Sequence, residues 1–201
     1  HAEACAAEEV FVQIGALEYS ARAALMAGRA SLAWGRPRAA AAEFATAERL
    51  FSACGSKVMQ MRTRLLQADA ARLRGDTQIA VMTCERVMAE EDDDTPLYLR
   101  VKARLIATPV VDQVRAGRLL DEVSRLCARA GIPELRVELF VARGRHACLA
   151  GDTSMAIEHL RHALVIAQGW DDRLGEGAKI GSPVLAEATQ DLILLLLQRG
   201  D

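Results

Sequence analysis

The chain predicts an all-α fold built as a repeat array, a solenoid of helical hairpins in which each unit is covered by its neighbours. Three observations carry this. A phrase recurs after 40 residues: Ala7-Glu8-Glu9-Val10-Phe11 runs to Ile14-Gly15, and Ala47-Glu48-Arg49-Leu50-Phe51 runs to Cys54-Gly55. Alanines fall at 40, 80, 116 and 156, and three of them follow the turns Gly35, Gly75-Asp76 and Gly151-Asp152. Hydrophobic residues make up 51% of the chain but aromatics only 4%, so the core must come from Ala, Leu, Val and Met. Those residues have high helix propensity or suit close helix crossings, every periodic segment has the 3.6 period, and none alternates.

The elements follow in order. Residues 2–14 read as the second helix of a hairpin, closed near Gly15. Unit one has a helix from about Leu17 to Trp34, a turn at Gly35-Arg36-Pro37, and a helix to Ala53. Pro37 suits the first turn of a helix, where its missing N–H costs nothing, and Gly55 suits a left-handed C-cap. Unit two runs from about Lys57 to Arg74, turns at Gly75-Asp76-Thr77, and continues to Ala89. The acidic run Glu90-Glu91-Asp92-Asp93-Asp94 reads as a solvated loop, and Asp94-Thr95-Pro96 as a capped helix start.

Unit three is irregular, because Thr108-Pro109 interrupts it. Either a first helix stops near Ala107 and Thr108 caps the next, or Pro109 kinks a continuous helix; the early stop is favoured. The second helix runs to Arg129, before Gly131-Ile132-Pro133. Unit four has helices at about Glu134–Leu149 and Thr153–Gln168. Trp170 to Ser182 lacks an apolar period and reads as a loop, and Ser182-Pro183 opens a helix to Gln198. Gly200-Asp201 repeats the hairpin turn. Since His1 lies inside a repeat-like helix, the chain is expected to be a fragment of a larger protein, starting and ending within the array.

Composition excludes several classes. A net charge of −2 gives no global attraction to nucleic acid or anionic membrane. The run Leu192 to Leu197 is too short for a membrane span. Cys5, Cys54, Cys84, Cys127 and Cys148 are odd in number and contain no CxxC pair, which suits free thiols in the cytoplasm. His159 and His162 lie one turn apart near His146 and Cys148, but nothing converges them, so neither metal nor cofactor is expected. Cys148 and His146 point apart on one helix, which disfavours nucleophilic catalysis. Arg74-Gly75-Asp76 spells an adhesion tripeptide, yet it sits at a turn where Asp76 can cap the next helix.

Unit four resembles a tetratricopeptide repeat in Gly144, Gly151-Asp152, Ala156, Leu160 and Ala163. Gly28, Gly35, Ala40, Phe44 and Ala47 match that frame in unit one. Ala68, Gly75, Ala80, Cys84 and Val87 match it more loosely in unit two. Unit three departs, with Arg104 where a small residue belongs. The resemblance implies a right-handed superhelical solenoid of about four to five antiparallel hairpins, a single array over residues 1–201. The stretches Phe11 to Ala16 and Pro183 to Asp201 also resemble the helical region preceding CHAT (caspase-like) protease domains of bacteria. Similar arrays occur in large bacterial transcription regulators, where the alternative role is regulation through intramolecular contacts with a catalytic or DNA-binding domain.

The tetratricopeptide resemblance further implies a concave face drawn from the first helices. Unit one places Arg22, Leu25, Arg29 and Leu32 there, and unit two Arg62, Leu65, Asp69 and Arg72. Unit three places Tyr98, Val101 and Leu105 there, and unit four Glu138, Val141, Arg145 and Cys148. Arginine forks suit carboxylates and backbone carbonyls. The expected function is a non-catalytic scaffold for a protein or peptide segment, with Arg22, Arg29, Arg62, Asp69, Arg72, Tyr98, Glu138 and Arg145 at the site. Self-association through exposed array ends is expected, notably at Leu192, Leu195 and Leu196.

Overall fold

Each marker alanine is the fourth residue of a helix in the computed structural model, which describes residues 2–174 and 183–199, with side chains at 15–169, 186 and 189–197. Among the described residues every regular element is helical: α1 (Ala2–Ala33), α2 (Pro37–Ala53), α3 (Lys57–Leu73), α4 (Thr77–Ala89), α5 (Leu97–Ala107), a 3₁₀ turn (Thr108–Val110), α6 (Gln113–Ala130), α7 (Pro133–Leu149), α8 (Thr153–Leu174) and α9 (Pro183–Arg199). The chain forms two compact units, residues 1–106 and 107–201. In the first, α1 packs on α2, α2 on α3 and α3 on α4; in the second, α6 packs on α7, α7 on α8 and α8 on α9. This is a sequentially packed helical array.

A common start sets the register of the second helices. The N–H groups of Ala40, Ala80, Ala116 and Ala156 donate to the carbonyls of Arg36, Asp76, Asp112 and Asp152 at 2.8–3.1 Å. All four alanines are buried, as are the residues four and seven further on: Phe44 and Ala47, Cys84 and Val87, Leu120 and Val123, Leu160 and Ala163. That spacing lays one apolar stripe along each helix.

The hairpin turns follow from Gly75 and Gly151, at φ of +83° and +81°. Asp76 N–H reaches back to Ala71 C=O and Asp152 N–H to Ala147 C=O, both at 2.9 Å, closing Schellman-type ends that a Cβ would strain. Inside the hairpins, small residues let the helices meet. A Cβ on Gly28 would stand 2.4 Å from the Phe44 ring, and one on Gly144 2.8 Å from Leu160 Cγ. Ala68 is fully buried at the same place in α3.

Several expectations are corrected. α1 runs unbroken through Gly15, because one glycine costs only about 1 kcal/mol in a helix otherwise rich in Ala, Leu and Glu. α5 does stop at Ala107, but Asp112 caps α6 by accepting from Arg115 N–H at 2.9 Å, while Thr108 is buried in the 3₁₀ turn. Thr95 does not cap α5, which begins at Leu97; its hydroxyl donates to Asp92 Oδ1 at 2.6 Å. Asp152 caps α8 through Met155 N–H at 2.9 Å, whereas Asp76 turns instead to Arg74, 2.5 Å away. Trp170–Leu174 continue α8 rather than forming loop; the rest of that expected loop, and Gly200-Asp201, lie outside the described residues. Leu192 and Leu195 are buried against α7 and α8 with Leu196 beside them, so among the described residues the exposed large apolar side chains of α9 are Ile193, Leu194 and Leu197.

Candidate functional site

The first helices spend their apolar faces on the core, and this decides what the expected strip can present. Leu25, Leu65, Val101 and Val141 are buried, which leaves the charged residues on the flanks. Arg22 is exposed and donates to Glu18, one turn back, at 2.6 Å. Arg29 is exposed, its guanidinium 3.9 Å from the Met26 sulfur. Arg62 is half-buried, with no hydrogen bond or ion pair among the described residues. Asp69 and Arg72 are brought together, two guanidinium nitrogens reaching Asp69 Oδ1 at 2.7 and 3.0 Å. Tyr98 shows an exposed edge on α5. In the second unit Glu138 is half-buried on α7, and Arg145 is exposed and bonds Asp191 of α9 at 2.7 Å.

A denser charged structure went unseen in the sequence. Arg64, 4% exposed, donates from Nε to Glu48 Oε1 at 2.6 Å and from Nη1 to Glu90. Gln67 donates to the second Glu48 oxygen at 3.0 Å, and Arg86 to the second Glu90 oxygen at 3.2 Å. Glu91 is met by Arg104 at 2.6 Å and Arg100 at 3.5 Å. Asp92 accepts from Lys57 and Thr95, and these bonds hold its carboxyl at about 2. The expected solvated loop is therefore pinned at Glu90, Glu91 and Asp92, and Asp92, Asp93 and Asp94 are its exposed part. The partners that cross between elements lie 9 to 35 residues apart, such as Arg100–Glu91 and Lys57–Asp92, and leave no local spacing to read. The acidic run itself was the available signal, five carboxylates needing counter-charge.

The second unit carries the histidines. Phe140 packs between His159 and His162, with ring centroids 6.0 and 5.3 Å away. Burial, aided by the Arg143 charge, pushes the pKa of the His159 imidazole down. A shallow groove of about 350 Å³ runs along α8 past Ile157, Arg161, His162 and Val165. Cys84 is no nucleophile, because burial, reinforced by Asp69 and Glu85, pushes its thiol up to about 12. Among the described residues no three metal-ligating groups converge, and no helix is long and apolar enough to cross a membrane.

No protein-family model matches the chain, and no curated protein matches it. The class that the fold defines is an all-helical array of sequentially packed hairpins.

Proposed function

We propose that the chain is a non-catalytic scaffold that holds an acidic or carbonyl-rich protein segment against the arginine-bearing faces of its first helices. The observation that supports this is the state of Arg29 and Arg62. Arg64, Arg72, Arg74, Arg86, Arg100 and Arg104 are each met by a carboxylate, whereas Arg29 reaches a thioether and Arg62 has no partner among the described residues. A bound carboxylate or carbonyl supplies the acceptors these forks lack. The tetratricopeptide resemblance supports the same reading, and the CHAT-type resemblance supports a role for the array within a larger bacterial protein of the cytoplasm.

Fluorescent Asp/Glu-rich peptides titrated into the chain test this. Each desolvated contact contributes about 1–3 kcal/mol, and binding weakens as salt is raised. The double variant Arg29→Glu, Arg62→Glu loses binding while melting at the parent temperature. If it unfolds, the two arginines are structural; if it stays folded and still binds, the segment is held elsewhere. Both results reject the proposal.

A further inference from the structure

An apolar stripe on α1 has nothing over it among the described residues. Ala16, Tyr19, Ala23, Met26, Ala30 and Ala33 are all exposed, Tyr19 by 76% and Met26 by 58%, at alternating spacings of three and four that keep them on one helix face. Counted back from the turn glycine, the positions of Tyr19 and Ala23 are covered in the other hairpins, whereas that of Ala33 is exposed there too, as Leu73 and Leu149. In α3 the positions from Tyr19 to Ala30 are Met59, Thr63, Leu66 and Ala70: Thr63 and Ala70 are fully buried, and Met59 and Leu66 pack on the cluster holding Phe44, Ala47 and Phe51 of α2. In α7 the first two are Leu135 and Leu139, both buried on the helix that meets α6. The repeat thus puts the preceding second helix on this face. For α1 the matching sequence is the stretch 2–15, which repeats Ala47, Glu48, Phe51 and Gly55 as Ala7, Glu8, Phe11 and Gly15. Yet α1 is one helix of 32 residues, about 48 Å long, so that stretch points away from its own stripe.

We propose that a second copy of the chain covers the stripe, the two α1 helices crossing antiparallel near Gly15 so that each N-terminal half lies on the other's stripe. Positions 11 and 7 then stand over the partner's Tyr19 and Ala23, in the repeat register of Phe51 and Ala47 of α2, on whose cluster Met59 of α3 packs. This exchanges the α2–α3 type of contact between copies, with the hinge straightened at a residue that turns at Gly55 (φ +69°) in the equivalent place. At the crossing, among the described residues and apart from its own helix turn, no atom stands within 4 Å of where a Gly15 Cβ would be. Ala24 and Ala27 replace Arg64 and Gln67, the two donors to Glu48, so no ion pair of that kind bridges the contact and raised salt should change it little.

Light scattering on the full chain should give twice the 21.8 kDa of one chain, unchanged by raised salt. Ala23→Glu, exposed in one copy, should weaken the dimer by at least about tenfold without loss of helicity by circular dichroism, since it buries a carboxylate unpaired. With Cys5 and Cys148 replaced by Ser, a chain bearing Ala7→Cys mixed with one bearing Ala23→Cys should be joined by a short bismaleimide into a covalent dimer. A monomer at high concentration overturns the proposal. So does a dimer that Ala23→Glu leaves intact, or one that shows no cross-link in the mixture. Cross-linking confined within chains that carry both cysteines overturns it in favour of a fold back at Gly15. Salt separates this from the arginine-mediated capture above, so either reading can fail alone.

Discussion

α1 and α7 solve one problem by leaving a side chain out, and α5 solves it by putting a charge in. Gly28 and Gly144 let Phe44 and Leu160 press onto bare backbone, and both of those partners are fully or almost fully buried. At the same repeat position α5 carries Arg104, whose side chain is 12% exposed and reaches Glu91 in the loop before the helix. One position therefore serves packing where a neighbouring helix comes close, and ionic clamping where the chain must secure a loop. Frame alone does not fix the chemistry; the partner that arrives there does.

Breaking the packed version has the largest expected effect. Gly28→Val forces a branched side chain into the Phe44 ring, which has no exposed surface through which to retreat. A loss of about 3 kcal/mol is expected, read as a shifted midpoint in chemical denaturation. A midpoint within experimental error of the parent would show that the hairpin yields there.

The ionic version should be softer. Arg104→Ala leaves Glu91, itself 9% exposed, with Arg100 at 3.5 Å. About 2 kcal/mol should be lost, less than for a fully orphaned buried charge. Thermal melting of Arg104→Met with Glu91→Met should recover most of it, since removing both charges removes the unpaired one. If the double variant is as unstable as Arg104→Ala, the clamp acts through shape rather than charge.

The smallest effect concerns the rim of the same loop. The Asp92 carboxyl is held at about 2 by Lys57 and Thr95, below the ordinary value near 3.9. Its contribution is therefore complete above about pH 4 and is lost as pH falls through about 2. Melting temperatures of the parent and Asp92→Asn should differ slightly at pH 5 and converge towards pH 2. A difference that persists at the lowest pH would place the effect on the backbone of the loop.

The helices were legible because their signals are local. A glycine needed at positive φ, a proline at the first position of α2 and an alanine four residues into each second helix all act within a few residues of chain. What was missed was non-local or decided by small energies. Glu90, Glu91 and Asp92 looked solvated because, apart from Arg86 one turn before Glu90, their cations come from α3 and α5. Gly15 looked like a break because its repeat copy Gly55 is one, yet a lone glycine without a following proline is tolerated within a helix. Of the expected strip, the arginines were readable as surface, but Leu25, Leu65 and Val141 were taken for lining when they belong to the core. An apolar residue on a first helix has two candidate burial sites, and sequence spacing does not choose between them.

The close approach of Gly28 to Phe44 joins residues 16 apart, and that of Gly144 to Leu160 joins residues 16 apart as well. Each lock thus closes a loop of one short length, and the chain entropy surrendered is the same in both hairpins and small compared with long-range pairing. Such a chain need not await any distant encounter before its first stable contact. Folding can therefore begin in either hairpin and spread to the helices beside it, as in other arrays built from local contacts.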